Sequence, residues 1–366
     1  MSKSHYIIPI FVPHEGCPHN CVFCNQNTIT GSHSIVDDTF VRETIEEYIK
    51  TIKNKDATIE VSFYGGTFTA IKLTKQNELL KVAKEYKDKG IIDYIHLSTR
   101  PDYIDQKILD NLKNYSVDII ELGIQSMDDD VLIKSGRGHT REDAIYASKL
   151  IKKYNFILGL QVMLGLPGDN FQKDINTAIE IIKLSPDICR IYPALVIKNT
   201  PMEAMFKHGV YKPYSLDEAV NISKVIYSMF VSAGINVIRV GLQPTEEINV
   251  GKEIVDGPFH SAFRELVEGS IMNDLIGENL PNDSNNDVLA YVNPKDISKL
   301  YADGKRFFKD MLQHKRTKSF KVIADNHIQR NHIGLKLNSQ YVILSINSYM
   351  EEKYKKGYLG EISNTK

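Results

Sequence analysis

The sequence contains no tryptophan, and cysteine is scarce, at four in 366 residues. So few thiols exclude the disulfide-dense scaffolds of small secreted domains. Charge of neither sign is in excess: 45 Lys and Arg stand against 46 Asp and Glu, a net charge of −1. Overall charge therefore makes no case for a polyanionic partner. Long apolar runs are missing as well. The N-terminus has no basic segment leading into an extended apolar stretch, and Ile7–Val12 is short and holds Pro9. No stretch approaches the ~20 apolar residues that span a bilayer. No membrane association is expected, and a reducing cytoplasm is the expected setting. The length suits one large α/β domain plus a smaller one.

The few cysteines are concentrated. Cys17, Cys21 and Cys24 stand in CPHNCVFC, a C-x3-C-x2-C triplet that places three of the four within eight positions. Three thiolates from one short loop can hold three corners of an iron–sulfur cube, because soft thiolate is the ligand such clusters use. A cube that only transfers electrons takes four cysteines. Three leave one iron open to a small molecule, as a catalytic zinc site keeps one position free. Two other readings stand beside this one. A structural zinc site would take a fourth ligand from His14, His19 or a distant residue. A disulfide with a spare thiol is the other, and the lack of a secretory signal speaks against it.

A strand-then-helix rhythm runs through the first two thirds of the chain. Strands are expected at Tyr6–Pro13, Thr58–Tyr64, Ile92–Thr99, Val117–Gln125, Phe156–Leu164 and Ile188–Ile197, with a last one at Asn236–Leu242. Between them lie helical periodicities. Asp37 and Asp38 cap the first, and Thr74–Lys89 ends at Gly90. Thr140 and Asp143, then Ser215 and Glu218, form capping boxes for two later helices. Strands alternating with helices build parallel β-α-β units. The expected fold is α/β, a partial (β/α)6 barrel over residues 1–250, followed by an α+β accessory domain over 251–366.

In parallel α/β folds, ligands bind at the carboxyl ends of the strands. The unusual residues fall there. The cysteine loop follows the first strand, and Gly65-Gly66-Thr67 follows the second. Ser98 and Arg100 close the third, Gln125 the fourth and Leu164-Gly-Leu-Pro-Gly168 the fifth, while Tyr192 lies in the sixth. A glycine pair past a strand permits a tight turn and close approach of a ligand to the main chain, although for a lone Gly-Gly a plain turn is the better reading. Cys189, isolated near a strand start, reads as a small buried hydrophobe.

The triplet, with Phe23 just before its last cysteine, resembles the signature of the radical S-adenosylmethionine (SAM) superfamily, and the resemblance covers about residues 5–245. It implies a partial barrel and a [4Fe–4S] cluster on Cys17, Cys21 and Cys24. It also implies SAM bound at the open iron and cleaved to methionine and a 5′-deoxyadenosyl radical, oxygen sensitivity, and a reductant such as flavodoxin or ferredoxin. By the same resemblance, Gly65, Gly66 and Thr67 meet the SAM amino group. Gln125 and Arg137 look like positions that meet its carboxylate and ribose in the coproporphyrinogen-oxidase branch. Thr67 stands where an acid is frequent, and Ser98 and Gln161 stand where that branch has acids. Tyr192, aimed at the barrel mouth if the strand phase holds, is the candidate catalytic side chain.

Four runs resemble the Elongator catalytic subunit and its bacterial relatives. They are Phe63-Tyr-Gly-Gly-Thr-Phe68, Ser98-Thr-Arg-Pro-Asp102, Glu121-Leu-Gly-Ile-Gln125 and Ile191-Tyr-Pro-Ala-Leu-Val-Ile197. This resemblance implies tRNA as the substrate. The chain departs from that subunit in its shorter cysteine spacing and in showing no acetyltransferase pattern after residue 250. No second cysteine cluster is present either, which argues against methylthiolation. Residues 279–287 read as a polar linker. Residues 295–336 interleave Lys and Arg with Tyr301, Phe307, Phe308 and Phe320, a pattern that suits phosphates if it clusters in space and is otherwise a solvated face. A radical enzyme acting on a small molecule or tetrapyrrole is an alternative to tRNA modification. A nonenzymatic iron–sulfur or zinc protein is another.

Overall fold

The computed structural model describes residues 4–12, 19–25, 36–243, 252–282, 287–315 and 317–355. The chain divides into two compact units, residues 1–213 with 243–257 and residues 214–242 with 258–366. Among the described residues no helix is long and apolar enough to cross a membrane.

The first unit alternates strand and helix. Its elements are β1 (His5–Phe11), α1 (Asp38–Thr51), β2 (Thr58–Tyr64), α2 (Leu73–Asp88), β3 (Tyr94–Thr99), α3 (Gln106–Asn114) and β4 (Ile119–Gln125). They continue with α4 (Asp129–Lys134), α5 (Arg141–Lys153), β5 (Ile157–Leu164), α6 (Phe171–Leu184), β6 (Ile188–Pro193), β7 (Val196–Ile197) and α7 (Pro201–Lys207). Strands β1 to β6 pair in sequence order, every pair parallel. This is the open, curled sheet of a partial barrel. The helices start where short polar side chains can take an orphan N–H. Asp37, Asp105, Asp128 and Asn170 each accept from the backbone at N3, and Thr140 with Asp143 closes a reciprocal box.

Alternation along each strand sorts the side chains. Val61 and Phe63, Ile95 and Leu97, Ile120 and Leu122, Leu158 and Leu160 are fully buried aliphatic and aromatic positions. Val41, Ile45, Leu79, Leu80, Leu109, Leu112, Ala147 and Ile151 supply the buried faces of the helices. Burying each such Leu or Ile contributes about 1.5–3 kcal/mol. The opposite phase is polar: Glu60, Ser62 and Tyr64 on β2, His96 and Ser98 on β3, Glu121 on β4, Gln161 on β5, Arg190 and Tyr192 on β6. Cys189 is buried, and burial pushes its thiol pKa upward.

The expected sixth strand is shorter than its apolar run. It stops at Pro193, and Val196–Ile197 forms a separate strand. Proline has no N–H to continue a ladder, so the chain changes partner there.

The second unit begins with α8 (Leu216–Ser232), opened by the Ser215–Glu218 box, and β8 (Asn236–Val240). The chain then returns to the first unit for β9 (Ile254–Asp256), which pairs antiparallel with β7. The rest comprises α9 (Phe263–Glu278), β10 (Asp287–Val292), α10 (Ile297–Leu300), α11 (Ala302–Lys315, kinked at Asp303–Lys305), β11 (Ser319–Ala324), β12 (His332–Leu337), β13 (Gln340–Ser345) and α12 (Ile346–Met350). The strands form one sheet in the order β11-β10-β12-β13, with only the β10–β11 pair parallel. Val288, Ala290, Val292, Ile333 and Leu335 fill its buried face, where Phe320 meets Phe308 of α11 edge to face at 5.2 Å. The stretch read as a linker ends α9 at one side and opens β10 at the other; its residues 283–286 lie outside the described residues.

Candidate active site

The cysteine segment is held from three directions. The Val22 N–H donates to the Ser135 carbonyl at 3.0 Å, the Met202 N–H donates to the Val22 carbonyl at 2.8 Å, and Asn25 Nδ2 donates to the Lys198 carbonyl at 3.1 Å. Val22 and Phe23 pack on an apolar cluster of Val131, Leu166, Ala194, Val196, Met202 and Tyr211. Phe23 thus has a packing role as well as its place beside Cys24. Cys21 is buried and Cys24 half-buried, with the Cys24 N–H donating to the Cys21 carbonyl at 3.0 Å. Cys17 and His14 lie outside the described residues. Among the described residues no three His, Cys, Asp or Glu side chains converge on a metal site.

Arg137 joins this loop to the strand ends. Its Nη1 donates to Cys21 Sγ at 3.3 Å, and its Nη2 donates to the Gly123 carbonyl. Its guanidinium sits 6.0 Å from the Phe23 ring centroid. Burial pushes its pKa downward, opposed by the Cys21 sulfur. Arg100, which the sequence places at the end of the third strand without a role, holds Arg137 in place. Its Nη2 donates to the Arg137 carbonyl, and Nε and Nη2 take Asp102 bidentately at 2.9 and 3.0 Å. Asp102 in turn lies 3.7 Å from His19. A closed circuit therefore runs from Cys21 through Arg137, Arg100 and Asp102 back to the loop.

Two glycines make room for it. Gly136 has φ +63° and Gly138 φ +74°, both left-handed, and a Cβ on Gly138 would fall 2.2 Å from the His19 ring. His139 packs below with Nε2 3.2 Å from the Ile124 carbonyl. Burial, with Arg137 and Arg100 nearby, pulls its pKa down to about 3, so the ring is neutral at ordinary pH.

The other expected residues lie on the neighbouring strand ends. Gly65 and Gly66 have φ of +87° and +48°. At Gly65 the requirement is structural, because a Cβ would approach the Val12 carbonyl oxygen to 2.8 Å. Thr67 is buried. Gln125 is a non-glycine residue at φ +63°, just past a register shift in β4. Such strain persists where surrounding structure over-determines it, and it clusters at functional sites. Gln161 Nε2 donates to Gln125 Oε1 at 3.4 Å, so the two glutamines are neighbours.

Deeper along the same strands is a buried ionic network that sequence reading missed. Arg190 Nε donates to Glu121 Oε2 at 2.7 Å, its Nη2 to Tyr64 Oη at 2.9 Å and its Nη1 to Tyr192 Oη at 3.4 Å. Tyr192 therefore joins this network through a 3.4 Å contact. His96 Nδ1 meets Glu60 Oε1 at 2.7 Å, and Ser62 and His5 also reach Glu60. The signal was present as one acidic or basic residue inside each of four mainly apolar strands, at Glu60, His96, Glu121 and Arg190.

Several buried polar atoms find no hydrogen-bond partner among the described residues. They include Thr67 Oγ1, Ser98 Oγ, Arg100 Nη1 and Arg137 Nε. Of the two buried guanidinium groups beside Cys21, Arg100 is paired with Asp102, and Arg137 has no ion pair among the described residues. Buried N–H groups of this kind are costly unless an acceptor arrives. The donor set fits an anionic group, such as a thiolate-bound cluster or a carboxylate.

Comparison with known proteins agrees with this architecture. The radical SAM superfamily profile matches residues 11–180, and the radical SAM C-terminal domain profile matches residues 186–273. A tRNA uridine(34) acetyltransferase of Methanocaldococcus jannaschii is 27% identical over 255 residues, 59% of this chain and 47% of that protein. Elongator complex protein 3 of Mus musculus is 32% identical over 131 residues, 35% of this chain and 24% of that protein. The solved structure of an archaeal Elp3 from Methanocaldococcus infernus superposes with a TM-score of 0.60 at 24% identity, over 75% of this chain and 64% of that one. The chain spans about half the length of the tRNA uridine(34) acetyltransferases it matches in M. jannaschii and M. infernus, 47% and 48%.

Proposed function

The chain belongs to the radical SAM superfamily, with Elongator-type enzymes among its relatives, and on that premise we propose how its residues serve such an enzyme. Cys17, Cys21 and Cys24 hold a [4Fe–4S] cluster through three thiolates, leaving one iron for SAM. A cluster held there would supply the electron for reductive cleavage of SAM. Arg137 holds the SAM carboxylate, and its bond to Cys21 keeps that carboxylate next to the cluster. Gln125 and Gln161, neighbours across β4 and β5, offer amide groups to the ribose. Ser98 adds an unpartnered hydroxyl. Gly65, Gly66 and Thr67 present a turned backbone to the amino group, and Phe23 packs the loop that carries Cys24. Tyr192, held at the barrel wall by Arg190, faces the substrate. A cytoplasmic reductant such as flavodoxin or ferredoxin delivers the electron.

The observation that carries this reading is the Arg137–Cys21 contact with Arg137 Nε left unpartnered, because it ties the cysteine loop and the strand ends into one site. The test is anaerobic reconstitution with SAM and a strong reductant. 5′-Deoxyadenosine should form, and it should vanish in Cys21→Ala. Cleavage retained in that variant, or zinc loaded in place of iron, would sink the proposal.

We further propose tRNA as the substrate, on the likeness to the tRNA uridine(34) acetyltransferases. The basic stretch alone is a weaker argument than its composition suggests. Lys299 is paired with Glu268, Arg306 with Asp217 and Asp303, and Arg330 with Asp296. Binding measured across a salt series should fall steeply with ionic strength; a flat dependence rejects phosphate contacts.

A further inference from the structure

One face of the second unit's sheet lies on the core; the other is exposed along β13 and half-buried toward its middle, where a Cβ on Gly334 would meet the buried Ile328 at 3.2 Å. Register places Lys321, Leu289, Lys336 and Tyr341 side by side across β11, β10, β12 and β13. The next row of the same face holds Ile323, Tyr291, Gly334 and Ile343. Tyr341 is 51% exposed and Ile343 57% exposed. The two tyrosines meet edge to face at 5.9 Å. Gly334 is the reason Tyr341 can lie low on the sheet: a Cβ there would fall 2.4 Å from the Tyr341 hydroxyl. Lys321 and Lys336 are exposed and make no ion pair among the described residues. One carboxylate opens this face, Asp287, and it takes the Ser319 hydroxyl.

We propose that this sheet face binds a single-stranded segment of RNA, with a base stacked on Tyr341 and backbone phosphates at Lys321 and Lys336. An exposed aromatic ring gives every base a stacking partner, and flanking cations track the backbone. The charge of the face favours a polyanion over an acidic or neutral polypeptide. The choice of RNA rests on the tRNA reading above. The site itself lies outside the stretch matched by either family profile, which ends at residue 273.

The test uses the full chain and a fluorescein-labelled oligouridylate on the order of ten nucleotides, followed by anisotropy. Tyr341→Ala should weaken binding about 5- to 150-fold, the stacking contribution of one base, while Tyr341→Phe binds as the parent does. Lys321→Gln with Lys336→Gln should lower the salt slope by about two. These side chains are exposed, and circular dichroism checks that each variant is folded. Three outcomes overturn the proposal: no binding by the parent at low salt, Tyr341→Ala within twofold of the parent, or a parent dimer in sedimentation that Tyr341→Ala dissociates. The last would make this face a contact between copies. Deoxyadenosine formation reads the cysteine site separately. SAM cleavage with RNA binding indifferent to Tyr341 sinks this surface alone, and Tyr341-dependent binding without cleavage sinks the enzymatic reading alone.

Discussion

Glu60 lets the buried network be weighed. Its carboxylate is 3% exposed and lies within reach of His96 Nδ1 at 2.7 Å, Ser62 Oγ at 2.5 Å and His5 Nε2 at 3.1 Å. Burial pushes its pKa up, and the hydrogen bonds and charge of His96, with Ser62 and His5, outweigh burial and bring it to about 2, against an ordinary 4.5. The folded state therefore binds this proton more weakly than the unfolded chain does. The resulting stability, roughly 3 kcal/mol, is fully present above the unfolded pKa and is lost as pH falls toward the folded one. About 2 kcal/mol of it is gone by pH 3. The comparison is urea unfolding of the parent and Glu60→Gln between pH 7 and pH 3, followed by circular dichroism and tyrosine fluorescence. Glu60→Gln is less stable at pH 7, and the gap between the two narrows by about 2 kcal/mol at pH 3. A gap that stays constant over that range would show that the carboxylate is not held ionised by its neighbours, and the argument would fail.

Other perturbations follow from the same geometry. Glu121→Ala leaves Arg190 charged and buried without its carboxylate, so urea titration should show a loss of about 3–5 kcal/mol; a loss under 1 kcal/mol would mean the pair is solvated. Arg100→Lys cannot supply a bidentate grip on Asp102 together with a bond to the Arg137 carbonyl. SAM affinity by equilibrium dialysis should fall about 10- to 100-fold, yet change little when Arg137→Ala is already present. Equal losses in both backgrounds would show that Arg100 does not act through Arg137. His139, with a pKa pulled down to about 3, should show no imidazole titration by NMR between pH 5 and pH 8.

Much of the first unit was legible because local signals and long-range packing agree there. The β2 strand falls where expected, and the α2 helix lies within one residue of its expected span at each end. The Thr140–Asp143 and Ser215–Glu218 boxes close as their spacing implies. Strand topology was also enough to put Gln125 and the cysteine loop at one end of the sheet, while Arg137 and Gln161 were singled out only by the family resemblance. Other features depended on contacts distant in sequence. Nothing local distinguishes Arg100 from any arginine before a proline; its role appears only when the Arg137 carbonyl, 37 residues away, comes within reach. Gln125 gives no sign in sequence that its backbone is left-handed. Basic residues counted along the chain proved a poor guide, because Lys299, Arg306 and Arg330 are neutralised by acids from other elements.

The interleaving of the two units along the chain bears on how the polypeptide matures. Residues 214–242 belong to the second unit, yet 243–257 return to the first, where β9 pairs with β7. A ribosome therefore releases the opening helix of the second unit before the last strand of the first. The first body is incomplete when the second begins, and no single cut separates the two: the shortest stretch holding all of the first unit, residues 1–257, also carries 214–242 of the second. An expression fragment ending near residue 242 would lack β9 and leave the β7 edge unpaired. Exchange of any one contiguous segment that holds a whole unit would therefore carry residues of the other with it.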